Sequence, residues 1–63
     1  METIIGDYVV ITEYVNGMYV TGIYQYVNGK VLKHRLGYSD INTNEDDAKE
    51  FHNYLVKFYW LYI

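Results

Sequence analysis

Five carboxylates gather in one stretch of this chain: Asp40, Glu45, Asp46, Asp47 and Glu50. That density has two chemical readings. It is either a solvated helix start, favoured by the positive end of the helix dipole, or a phosphate-mimicking patch that fills a nucleic-acid site on a partner. Calcium is a poorer match, because no loop has EF-hand spacing with its central glycine. A basic run, Lys30, Lys33, His34 and Arg35, precedes the acidic one. Strand alternation splits it. Lys33 and Arg35 share a face with Tyr24 and Tyr26, while Lys30 and His34 point the other way. Such cations either guard an edge strand against sheet-to-sheet pairing or form a basic-aromatic face for phosphates and bases.

Catalytic chemistry finds little material. His34 and His52 have no partner pattern, and a structural role is expected for both. Ser39 is the only serine. No nucleophile elbow, P-loop, zinc pattern or dinucleotide fingerprint is present. A preorganised acid–base pair needs more candidates than these. The expectation is a non-enzyme with no cofactor and no metal site.

The chain has 63 residues, five Lys or Arg against eight Asp or Glu, a net charge of −3, and no cysteine. It reads as a single domain, residues 1–63. A domain of this size buries only about 60% of its unfolded surface and is marginal alone. Without disulfides, aromatic packing or oligomerisation must stabilise it. The nine tyrosines suit either, since each joins a large ring to a polar tip. The acidic balance counts against nonspecific nucleic-acid binding. The start, Met-Glu-Thr-Ile-Ile-Gly-Asp, has no signal-peptide character. No apolar run approaches a membrane span of about 18 residues. A cytoplasmic protein is expected.

The elements that must position these residues are announced by Asn16-Gly17 and Asn28-Gly29. Asn-Gly is the strongest short hairpin signal, because both central residues of a type I′ turn need positive φ. The spacing predicts strands over Tyr8 to Val15, Met18 to Val27 and Lys30 to Tyr38, a three-stranded antiparallel meander. In that register Val15 opposes Met18, Ile11 opposes Gly22, Val27 opposes Lys30, and Ile23 opposes His34. Both faces are rich in apolar residues.

A C-terminal helix is expected after the cap-like Thr43-Asn44-Glu45-Asp46. Ala48, Phe51, Leu55, Phe58 and Tyr62 recur at helical spacing, with Tyr54 and Tyr59 widening the stripe. The helix should cover the face bearing Ile23, Leu32 and Leu36, giving an α+β fold of βββα order. The opposite face, with Glu13, Lys33 and Arg35, stays in water. Trp60 projects off the stripe near Lys49 and Asn53, with Val56 and Ile63 nearby. The end, Tyr59-Trp60-Leu61-Tyr62-Ile63, is apolar all round and needs cover.

Three strands, then Arg35-Leu36-Gly37-Tyr38, then Thr43 to Ala48 opening a helix, resemble a known plan. The DNA-binding domain of plant ethylene-response factors looks like this, as does the arm-site-binding domain of tyrosine integrases. In both, a Leu-Gly pair ends strand three and a Thr-x-Glu stretch leads into an alanine-containing helix. The resemblance covers Asp7 to about Leu55. It implies DNA contacts from the free sheet face, where this chain offers Lys33 and Arg35 with Glu13 beside them.

By type, the chain also resembles the small inhibitors that phages and mobile elements make against host enzymes and defence systems. The expected function is therefore protein binding, by steric occlusion or DNA mimicry, with a host enzyme or complex as partner. Glu13, Tyr24, Tyr26, Lys33 and Arg35 are the expected contact face, with Trp60 and Ile63 as a dimer seam or second contact. Sequence-specific DNA binding through the same face is one alternative; a structural homodimer or subunit of a larger assembly is another. Tyr24 and Tyr26 serve equally well as interface or core, whereas Trp60 is read as interface.

Overall fold

Tight turns organise the first half of the molecule. The computed structural model traces the backbone of residues 1–63 and describes every side chain outside residues 33–39. The sheet is antiparallel, in the order β1 (Glu2–Ile5), β2 (Tyr8–Val15), β3 (Met18–Val27) and β4 (Lys30–Asn42). Helix α1 (Glu45–Phe58) follows, and a 3-10 turn, Tyr59–Leu61, closes the chain. The fold is α+β with one C-terminal helix, as the sequence predicts.

Both Asn-Gly pairs take the predicted conformation. Asn16 and Gly17 have φ of 50° and 81°, and Asn28 and Gly29 have 52° and 77°. Val15 opposes Met18, Ile11 opposes Gly22, and Val27 opposes Lys30.

The sheet has four strands rather than three. β1 is only four residues long and joins β2 through Gly6-Asp7, with Ile5 opposite Tyr8. Gly6 has φ of 58°, the pattern of a turn led by glycine. Gly-Asp is a weaker turn signal than Asn-Gly, and four residues carry almost no periodicity.

The third predicted strand also differs in register and length. Tyr26 opposes Val31, but Tyr24 opposes Arg35 and Gly22 opposes Ser39. Between each of these pairs β3 spends one residue and β4 spends three, so β4 gains two residues twice. The expected pairing of Ile23 with His34 is displaced. Because each gain is even, the in–out alternation survives. β4 thereby runs to Asn42, and Asp40 and Asn42 pair with Thr21 and Tyr19.

The helix covers the predicted face. Val10, Ile23 and Leu55 form the dry centre, with Ile5, Tyr8, Phe51, Val56, Tyr59 and Tyr62 packed around them. Tyr8 and Tyr59 meet at 5.8 Å between ring centres. The helix is rotated from the predicted stripe, however. His52 is only 2% exposed and belongs to the interior, and Val56 faces the core. Leu32 and Tyr54 are each 39% exposed. The reason is β1: a fourth strand moves the centre of the sheet toward β2. Leu36, also expected in the core, lies outside the described side chains.

Asn44 caps α1, its Oδ1 accepting from the backbone N–H of Asp46 and of Asp47 at 2.8 and 3.2 Å. No described helix is long and apolar enough to cross a membrane.

Candidate functional site

The extended β4 and the first turns of α1 enclose an open cleft of about 440 Å³. Its lining is Asp40, Asn42, Asp47, Glu50, Phe51 and Tyr54. Each residue arrives for a local reason. Asp40 and Asn42 lie on the helix-facing side of β4, at alternate positions. Asp47, Glu50, Phe51 and Tyr54 share one flank of α1 by three- and four-residue spacing. Phe51 and Tyr54 stack with ring centres 6.2 Å apart, and Tyr54 packs on Phe58 at 5.1 Å. The Tyr54 hydroxyl is hydrogen-bonded to that of Tyr62 at 2.9 Å, which holds the ring in place.

Among the described residues, three carboxylates and no cation line this cleft. Asp40 Oδ1 accepts from the backbone N–H of Ile41 at 2.9 Å. The Asn42 Nδ2 is buried without a hydrogen-bond partner, an uncommon and costly condition for a polar atom. Carboxylates beside aromatic rings make a good receptor for an ammonium or guanidinium group.

The predicted acidic patch is thus divided. Asp40, Asp47 and Glu50 line the same open cleft from two elements. Glu45 pairs instead with Lys49 at 3.3 Å, and Asp46 is exposed outside the cleft. Tyr19, opposite Asn42, has its phenol pKa raised by burial first and by the Glu45 carboxylate second.

A second polar cluster lies on the other flank of α1. His52 Nε2 meets Thr3 Oγ1 at 2.9 Å, and its Nδ1 meets Thr12 Oγ1 at 2.8 Å. Thr12 Oγ1 also meets Thr21 Oγ1 at 2.8 Å. The Met1 amino group donates to the Thr12 carbonyl at 3.0 Å. Burial, and then the Met1 ammonium, push the His52 pKa below its ordinary value. Both ring nitrogens are bonded and the ring is enclosed, so this cluster is structural, as expected for His52.

The other described contact residues do not join the cleft. Glu13, Tyr24 and Tyr26 lie on the far side of the sheet, Glu13 exposed and both tyrosines half-buried. The side chains of Lys33, His34 and Arg35 lie outside the described residues. Trp60 is 58% exposed and Ile63 is also exposed. Trp60 stands edge-on to Phe58 at 6.3 Å, past the end of α1 rather than on its surface. Asn42, Phe51 and Tyr54 were not foreseen as site residues. With the strand expected to end at Tyr38, nothing placed Asn42 opposite the helix.

Among the described residues, no group of three or more His, Asp and Glu side chains could hold a metal ion. Neither the family models, the curated proteins nor the solved structures compared with this chain match it.

Proposed function

We propose that this chain is a small acidic protein-binding module that inhibits its partner by docking on a basic, nucleic-acid-binding surface. The observation that carries this reading is the lining of one open cleft by Asp40, Asp47 and Glu50 with the Phe51 and Tyr54 rings. Spaced carboxylates present the charge that a nucleic-acid site is built to receive from phosphates. The rings add contact area and a surface for arginine stacking. A host enzyme that processes or defends against nucleic acid has the matching basic surface, and occlusion of that surface is the mechanism. The helix dipole favours the carboxylates near the start of α1, so the charged surface is maintained at little cost to the fold.

The DNA-binding alternative rests on Lys33 and Arg35, whose side chains lie outside the described residues.

The test is affinity capture from nuclease-treated bacterial lysate with two baits, the native chain and the Asp47→Asn/Glu50→Gln double variant. One protein retained in stoichiometric amount by the native bait and lost by the variant is expected. The retained protein should also be displaced by duplex DNA. Equal retention by both baits overturns the reading.

A further inference from the structure

The two Asn-Gly turns differ in what holds them shut. Their local sequences nearly match: Val15-Asn16-Gly17-Met18 and Val27-Asn28-Gly29-Lys30. Both asparagines are exposed. Among the described residues, nothing beyond the chain neighbours lies within 4 Å of where a Cβ would stand on Gly17 or Gly29. The ladders behind the turns are unlike. From Val15 opposite Met18, β2 and β3 stay in one register through eight pairs, to Tyr8 opposite Gln25. The Tyr14 and Tyr19 rings pack across that ladder one pair from the turn, 4.7 Å between centres. Behind Asn28-Gly29 only two pairs, Val27 with Lys30 and Tyr26 with Val31, share the register of the turn before β4 shifts.

We infer that Asn28 is a site of spontaneous deamidation, reacting ahead of Asn16 in the folded chain. In an Asn-Gly pair the glycine has no side chain to hinder its own amide nitrogen. That nitrogen attacks the asparagine Cγ. The N–Cγ bond forms and the Cγ–Nδ2 bond breaks. The side-chain nitrogen leaves as ammonia, taking the proton from the glycine nitrogen. Water then opens the cyclic imide at either carbonyl and leaves an aspartyl or an isoaspartyl residue. Water is consumed and ammonia released, with no oxidant or further reactant.

The turn itself opposes the first step. With positive φ at both central residues, a type I′ turn points the glycine nitrogen away from the asparagine Cβ. Ring closure therefore waits for the turn to open. Local openings cost less where fewer cooperative contacts are lost. At Asn16, opening works against a continuous ladder. At Asn28, the register shift beyond Tyr26 breaks the pairing, so two pairs can part by themselves. The two products differ in consequence. An aspartyl residue suits the same turn, because Asp-Gly is also a type I′ pair, and it places a negative charge two residues before Lys30. An isoaspartyl residue lengthens the backbone by a methylene, and the two-residue turn is lost.

Peptide mapping by mass spectrometry, during incubation of the full chain at mildly alkaline pH, tests this site. One arm keeps the chain folded in buffer and the other unfolds it in guanidinium. Each is read for the mass gain that marks loss of ammonia at Asn16 and at Asn28. In guanidinium the matched Val-Asn-Gly contexts should react at similar rates. In the folded chain both should slow, and Asn28 should react at least about fivefold faster than Asn16, the effect of about one ladder hydrogen bond. Equal folded rates, or Asn16 in the lead, overturn the inference. So does a folded Asn28 that stays intact while the unfolded chain converts. An equal preference for Asn28 in guanidinium also overturns it, because the flanking residues rather than the ladder would then set the rate. None of these outcomes touches the cleft, so the binding reading stands or falls separately.

Discussion

The two flanks of α1 treat polar groups in opposite ways. On the β1–β3 side, Thr3, Thr12, Thr21 and His52 bond one another in an enclosed chain. On the β4 side, three carboxylates gather around an open cleft and the Asn42 amide is buried unpaired. A buried polar group left unpaired costs about 1–3 kcal/mol, so the first arrangement stabilises the fold and the second draws on it. The difference teaches where to look for function in a chain without catalytic motifs. A satisfied polar network is architecture, whereas carboxylates lining an open cleft beside one unpaired amide mark the place to test for binding.

Substitutions can sharpen or break that contrast. The largest effect is expected at the hinge of both flanks: Leu55→Ala opens a cavity under Val10 and Ile23 and should cost about 2–5 kcal/mol. A urea melt should show a lower midpoint with an unchanged slope. Next comes Thr12→Val, which strips a partner from both His52 and Thr21 and should cost about 2 kcal/mol. A loss near zero would mean that the chain of bonds is not structural.

The pH dependence follows from His52. Its folded pKa is lowered, so the folded state binds fewer protons than the unfolded chain. Its contribution to stability is complete above the unfolded value of about 6.5 and is lost as pH falls below that toward the folded value. Urea midpoints measured on either side of about pH 6.5 should fall on the acid side. His52→Gln should flatten that step, and a step that persists in the variant would assign it to other groups.

The smallest stability effects belong to the cleft. Asp47→Asn and Glu50→Gln should each change stability by less than about 0.5 kcal/mol while abolishing partner capture. If both were strongly destabilising, the carboxylates would be part of the architecture and the contrast between the flanks would fail.

Local chemistry made much of this legible in advance. The Asn-Gly turns were readable because positive φ at two successive residues leaves few alternatives. The α1 cap and acidic first turn were readable because their hydrogen bonds lie within three residues of Asn44. β1 was not, since four residues joined by Gly6-Asp7 matter only once β2 is there to receive them. The rotation of α1 was missed for the same reason, and with it the burial of His52 and the exposure of Leu32. Of the acidic patch, the residue types were plain and their grouping was not.

By itself, then, the sequence determined the α+β class, the two Asn-Gly hairpins, the helix start and the face that α1 covers. Each rests on interactions between near neighbours or on the apolar character of whole strands. Tertiary structure alone decided the fourth strand, the paired gains in β4 and the sharing of one cleft by Asp40, Asp47 and Glu50. A register shift by an even number of residues preserves every side's hydrophobic pattern. The sequence pattern therefore carries no trace of it, and only pairing against β3 fixes where Asp40 and Asn42 come to lie.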